Sequence, residues 1–356
     1  MQHYIYGPID DAEPCAGDDG SRLISFFVFN TDVHLHAYSA ASGAEGEARQ
    51  GFDQVMLDEA LRACRDRCRF FEHRLSRTRE DSDISRAHAQ SPDSVEVAPE
   101  TAELVELARM YGERSGGCFD MTMGTVTRLW DFHLGSVPSS LALSRALPHV
   151  DASNVTVDRC ASIPRLAISD PDCVLDLGGI AKGYIADDLA TLLSDRGVDR
   201  FVINLGGNVV VRGGRPGDEG SRPPVHAGDP WNVGVVNPRD PVHSRAIIRI
   251  ANGSVVTSGL HERRFTKSGR TYHHILSPRN GMPVQTDVAS ATIVAPRSID
   301  CDGYSTTVLM LGMEEGLSFA EGIDGIEAVL ISEADEVRWT SGIAENLSLV
   351  PTLPRW

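Results

Sequence analysis

The sequence predicts an α+β fold. Helical and strand-like segments mix along its 356 residues without the regular β–α–β alternation of a doubly wound sheet. One long segment carries an apolar stripe of helical period, and several short apolar runs punctuated by glycine read as strands. The length gives room for two ordinary domains or for one fold with two lobes.

The elements follow in order. Residues 1–22 are expected to form an acidic flexible tail, Gly-rich from residue 8 onward, ahead of a single two-lobed domain over 23–356. Residues 23–38, LISFFVFNTDVHLHAY, read as one or two strands, with alternation in the second half. Leu57, Leu61, Cys64, Cys68, Phe71 and Leu75 then recur three or four residues apart, which puts them on one face of a helix. Cys64 and Cys68 are expected to be core residues; as a metal pair they would lack the further ligands of a structural zinc site.

A second helix is predicted over 99–114, with Pro99 near its start and Ser115-Gly116-Gly117 as its stop. A third covers 181–195 and ends before Gly197, followed by strands 201–205 and 208–212 around a Gly206-Gly207 turn. The stretch 213–230, dense in glycine, proline and charge, reads as a surface loop. Later strands are expected at 246–250, 290–295 and 327–332, with a helix near 303–312.

Composition narrows the function. Thirty-three basic against fifty acidic residues give a formal net charge of −17, which argues against nonspecific nucleic-acid binding or docking on an anionic membrane. An anionic ligand must then be held by local cations, a metal ion or backbone N–H groups. No apolar run approaches the roughly 20 residues that span a bilayer. The N-terminus has neither a basic n-region nor an apolar h-region. Seven scattered cysteines form no disulfide framework, so the expectation is a reduced, cytoplasmic enzyme.

Four segments concentrate chemistry. In CVLDLGGIAKGYIAD (173–187) a strand end leads through Asp176 and Gly178-Gly179 to Lys182 and a helix. A glycine turn opening a helix exposes N–H groups and the positive end of the helix dipole to a phosphate, and it also occurs as a purely structural turn. It is neither a Walker A loop nor GxGxxG. In DCDGYSTT (300–307) Asp302 and Thr306 stand four apart, on one helix face. That pair suits a hard cation such as Mg2+, and an acid near a helix start is also favoured by the macrodipole alone. In the third segment, 257–283, either His273 or His274 is a candidate general base or phosphate donor. In the fourth, SGGCFDMTMGT (115–125), Phe119 and Asp120 follow a helix-ending glycine pair.

Taken together, these segments resemble the ApbE family of FAD:protein FMN transferases. The resemblance is carried, in family order, by SRTREDSDISR (76–86), SGGCFDMTMGTVTRLW (115–130), DLGGIAKGYIAD (176–187), INLGGNVVVRG (203–213), WNVGVVNP (231–238), TSG (257–259), HILSPRNGMP (274–283) and DGYSTTVLMLG (302–312). It implies a two-lobed α+β fold with FAD in the cleft. It also implies Mg2+-dependent transfer of FMN from FAD to a threonine hydroxyl of an acceptor protein bearing a Ser/Thr-containing motif, with release of AMP.

By the same resemblance, Asp302 and Thr306 supply metal ligands from side chains and Gly179 supplies one through its carbonyl. Cys118, Phe119, Asp120, Asp176, Lys182, Ile275 and Leu276 match FAD-contacting positions, and His274 matches the motif histidine, to which a catalytic role is assigned. The sequence departs from the family at Ser277, where an aspartate is frequent, at Phe29, where many relatives carry Met, and at Thr78, where an aromatic residue is common. Two other readings share the same residues: a Mg2+-dependent FAD pyrophosphatase that gives FMN and AMP, and a flavin-binding protein without turnover.

Overall fold

Alternating burial explains how the chain begins. Strand Arg22–Val28 (β2) buries Ile24, Phe26 and Val28, and strand Thr31–Ala37 (β3) buries Val33, Leu35 and Ala37, so every second side chain faces the core. Between them Phe29 and Asn30 both take positive φ, 55° and 58°. That is the tight turn whose twist matches the two strands, and it resolves the run at 23–38 into a hairpin. The computed structural model describes residues 7–18, 21–39, 47–160, 162–218 and 224–351.

The segment expected as a tail is, over residues 7–18, fastened down. Cys15–Ala16 (β1) pairs with β2, and the Phe27 N–H donates to the Gly7 carbonyl at 3.0 Å. Its acids find arginines on the long helix Glu47–Leu75 (α1): Asp10 pairs with Arg69, and Glu13 with Arg62 and Arg65. Residues 1–6, 19 and 20 lie outside the described residues.

The main sheet has nine strands among the described residues. In spatial order β1, β2 and β3 are followed by Phe201–Leu205 (β4), Asn208–Arg212 (β5), Gly253–Gly259 (β6), Val288–Ala295, Glu327–Ser332 and Val337–Trp339. All neighbours run antiparallel. A smaller sheet combines Trp231–Asn237, Asp240–Ile250 and Leu347–Leu349. The strand expected at 246–250 therefore starts earlier. Helices Pro99–Arg114 (α2) and Ala181–Asp195 (α3) occupy the predicted bounds.

Helix Ser298–Leu311 (α4) starts before the predicted 303, because Asp187 of α3 accepts the Ser298 and Ile299 N–H groups at 2.7 and 3.0 Å. That cap comes from a distant part of the chain and is invisible to local pattern. Of the stretch read as a loop, residues 213–218 and 224–230 are irregular apart from an Asp218–Val225 bridge.

Two large apolar clusters make the core. One lies between β2–β4, α1 and α3; the other gathers α2, α4 and the strand Val288–Ala295. Leu75, Ala181 and Tyr184 pack against both, which ties them into one body. The α1 stripe is buried as expected from Leu57 to Phe71. Burial pushes the Cys64 thiol up to about 12 and Cys68 also upward, so both stay protonated core residues. No helix among the described residues is long and apolar enough to cross a membrane.

Candidate active site

The glycine-rich turn is built by pairing two motifs that lie far apart in the chain. Asp176 N–H donates to the Met121 carbonyl at 2.7 Å, Val174 N–H to Thr125 Oγ1 at 2.8 Å, and Met123 bridges Val174. A Cβ at Gly124 would stand 2.5 Å from the Val174 carbonyl, so only glycine permits the approach. The lacing sets Phe119 and Asp120 beside Asp176, Gly178 and Gly179. Phe119 lies over Gly179, its Cε2 3.1 Å from where a Gly179 Cβ would be.

Each carboxylate here is oriented. Asp120 Oδ1 accepts from the Thr122 N–H at 2.7 Å and the Thr122 hydroxyl at 2.5 Å. Asp176 Oδ1 accepts from the Gly178 N–H at 2.9 Å, and its Oδ2 pairs with Arg77 at 3.0 Å. Arg77 lies in the 76–86 segment, one of those that carry the family resemblance, and membership in that segment is the signal that points to it.

The first turn of α3 has no side-chain cap, and Gly178 and Gly179 are exposed. Its Gly183 N–H donates to Asp302 Oδ2 at 2.9 Å. The other oxygen, Asp302 Oδ1, faces Lys182 Nζ at 4.0 Å. Asp302 is only 7% exposed, and burial raises its carboxyl pKa against the opposing pull of Lys182 and the Gly183 amide.

One turn along α4, Thr306 Oγ1 lies 3.1 Å from Ser258 Oγ, which also meets Ser305 Oγ at 2.8 Å. Ser258, from the TSG triplet on β6, thus ties the Thr306 hydroxyl to the main sheet.

The donors around Asp302 are a carboxylate, a hydroxyl and, by resemblance, the Gly179 carbonyl. An all-oxygen set with a buried, incompletely paired anion suits a hard divalent cation. Mg2+ fits these residues.

The two histidines part company, as consecutive residues of an extended segment must. His273 ends the strand Arg270–His273 and sets its Nε2 3.1 Å from the Val284 carbonyl, a structural bond. His274 turns the other way: Nδ1 is buried without a partner, and Nε2 stands 4.0 Å from Glu262 Oε2. Burial, reinforced by Arg263, lowers its pKa to about 4, so the imidazole is neutral near pH 7.

The Glu262 side chain is 48% solvent-exposed, and desolvation by the surrounding protein raises its pKa. Lys182 and Arg263 lie near enough to favour its charge, and Asp302 near enough to oppose it.

Ile275 and Leu276 are buried, Ile275 in the main core and Leu276 against Val126 and Trp130. Cys118 is half-buried with its thiol pKa raised by burial. Ser277 caps the following turn through contacts with Arg279 and Met282, and Phe29 sits in the β2–β3 turn. A separate cavity of about 560 Å3 beside α3 is lined by Glu103, Tyr184, Asp187 and Arg297, and by none of the predicted site residues. Its acids are engaged: Asp187 caps α4, and Glu103 accepts from Tyr184.

The sequence profile described as the ApbE family matches residues 29–330. An FAD:protein FMN transferase of Treponema pallidum is 34% identical over 283 residues, 78% of each chain, and one of Klebsiella pneumoniae is 30% identical over 70% of this chain and 74% of its own. The crystal structure of the ApbE protein of Thermotoga maritima superposes with a TM-score of 0.75 at 25% identity, covering 92% of this chain and 99% of that one. The apo form of Pseudomonas stutzeri flavinyl transferase ApbE gives 0.70 at 24% identity, over 97% and 98%, a likeness of fold. By sequence profile, by relatives and by fold, this chain belongs to the ApbE family.

Proposed function

We propose that the protein is a flavin transferase that moves FMN from FAD to a threonine hydroxyl of an acceptor protein and releases AMP, with Mg2+ held by Asp302, Thr306 and the Gly179 carbonyl. The observation that carries this reading is the meeting of Asp302, Lys182 and the Gly183 amide in an acidic protein, with Thr306 one helical turn beyond Asp302. FAD brings a diphosphate, and only local positive charge can hold it there. Mg2+ supplies charge neutralisation for the phosphoryl oxygens and the departing phosphate.

The chain's own residues do the rest. Lys182 and the first turn of α3 bind the diphosphate, Phe119 covers the turn, and Arg77 and Gly178 keep Asp176 oriented. Neutral His274 is able to accept a proton. The threonine Oγ–H proton passes to an imidazole nitrogen as Oγ bonds to the FMN phosphorus; the bond from that phosphorus to the bridging oxygen breaks, and AMP leaves with the electron pair. Seven unpaired cysteines support a reducing compartment as the place where acceptor and enzyme meet.

The test is AMP release from FAD with and without Mg2+ in the presence of a threonine-bearing peptide followed by mass. Mg2+-dependent AMP release with one FMN added to the peptide supports transfer. AMP release with an unmodified peptide means water is the acceptor and the protein is a pyrophosphatase. FAD bound regardless of Mg2+, with no AMP, means a flavin holder.

A further inference from the structure

A protein of net charge −17 carries, next to its candidate base, a hairpin of cations. Strands Arg264–Lys267 (β7) and Arg270–His273 (β8) bring Arg264, Lys267 and Arg270; Arg263 precedes them, and all four are exposed. Register sets Lys267 directly opposite Arg270. Like charges so placed repel, and among the described residues no carboxylate lies within ion-pair distance of any of the four. Lys267 reaches only the Gly135 carbonyl at 3.5 Å, and Arg270 lies over the Tyr272 ring.

Glu262 is near enough to Arg263 for their charges to attract, but neighbouring acids do not neutralise Arg264, Lys267 and Arg270. Asp131 Oδ1 is taken by the N–H groups of His133 and Leu134 at 2.9 and 2.8 Å. Glu333 shares a hollow of about 310 Å3 with Arg264 and His273 without pairing with Arg264. The hairpin is firmly seated. Phe265 and Tyr272 stack at 5.3 Å and continue through Phe132 and Trp130 into an aromatic cluster. At its margin Leu134 is 85% exposed.

We infer that this basic hairpin, with Leu134 beside it, is the surface on which the acceptor protein docks, and that it favours acceptors whose surface beside the modified hydroxyl is acidic. The inference rests on the transfer reading above and names its partner's chemistry. Charge complementarity is one support: a protein of net charge −17 repels an acidic partner overall, and a cluster of cations without ion-pair partners offsets that repulsion locally. Continuity is the other. Strand β8 runs directly into His274, whose N–H donates to the Arg263 carbonyl at 3.1 Å, so whatever binds the hairpin is held alongside the candidate base by the backbone itself.

The experiment uses the full chain and three fluorescein-labelled peptides with one threonine each, flanked by Asp and Glu, by Asn and Gln, or by Lys. Binding is read by anisotropy at low and at 0.5 M salt, without FAD. The expected order is acidic over neutral over basic, with the acidic peptide losing its advantage in high salt. The double variant Lys267→Glu/Arg270→Glu should weaken the acidic peptide at least tenfold and reverse the order, and Lys267→Gln/Arg270→Gln should abolish the preference. FAD titration of both variants reports an intact fold. Equal or absent binding of the three peptides, or an order unchanged by charge reversal, overturns the inference. Peptides that bind in the expected order but never gain FMN would instead overturn the transfer reading and leave the docking surface standing.

Discussion

The Gly183 N–H donates to Asp302 Oδ2 at 2.9 Å across the contact between α3 and α4, and this bond exists because residue 183 has no side chain. A Cβ there would stand 2.6 Å from the Ser298 carbonyl and 2.8 Å from Asp302 Cβ. Gly183→Ala is therefore expected to push the helices apart and destabilise the fold by about 1–3 kcal/mol. Urea unfolding measures the loss, and a variant as stable as the parent would show that the contact yields freely.

Asp302 is a buried carboxyl whose second oxygen faces Lys182 at 4.0 Å. Millimolar Mg2+ should raise the unfolding midpoint of the parent, since a ligand that binds only the folded state stabilises it. Asp302→Asn should lose that shift while being no less stable than the parent without metal, because it removes a charge that folding desolvates. Thermal unfolding with and without Mg2+ checks both.

Burial holds His274 at about 4 against an ordinary 6.5. Between those values the unfolded chain carries more protons than the folded one, so stability rises with pH across the window and falls as acid is added. The shift corresponds to at most about 3 kcal/mol. His274→Gln should flatten the acid limb between pH 4 and 6.5 and reduce transfer at least a hundredfold, with FAD affinity within about threefold of the parent. FAD affinity that collapses together with the rate would recast His274 as a binding residue.

Gly179 lies under Phe119, with 3.1 Å between the ring and the place of a Cβ. Phe119 is only partly buried and can swing outward. Gly179→Ala is expected to change stability by less than about 1 kcal/mol yet weaken FAD binding, as read by flavin fluorescence. Unchanged affinity would show that the ring's position is immaterial to the flavin.

The Arg77–Asp176 pair at 3.0 Å is largely open to solvent on the arginine side. Its contribution to stability should be under about 1 kcal/mol. Arg77→Ala leaves a carboxylate without its cation near the expected diphosphate, and FAD should bind roughly tenfold more weakly at an unchanged melting temperature. Calorimetric titration decides the point.

Much of this architecture is legible locally. Helices 99–114 and 181–195 carry their own punctuation, Pro99 and Gly116 in one case and Gly197 in the other, and the α1 stripe states its buried face in its spacing. What escaped local reading depends on partners elsewhere in the chain. The Phe29-Asn30 turn lacks the glycine that usually marks such a hairpin. The start of α4 waits on Asp187, and the acidic segment 7–18 is ordered by arginines of α1.

In the candidate site, motif order located Asp302, Thr306 and the glycine turn. Residue type and position alone left His273 and His274 equivalent, the family resemblance chose His274, and the pleat turns the two side chains apart. Ser258 and Arg77 act through other residues, and no spacing rule announces a residue of that kind.

Strand β3 pairs with β4 from Val33–Leu205 to Ala37–Phe201, while α1, α2 and the glycine turn are all strung between the two. A hairpin of neighbours can zip as soon as it is made; this pairing waits for half the chain to be synthesised and then closes a very long loop, the kind of step that slows folding. The residues around Asp302 come later still, from α4 and the segment around His274. The nascent chain therefore has no complete site to offer a flavin, and FAD engagement becomes a natural clock for the end of folding, with N-terminal strands exposed until their distant neighbour arrives.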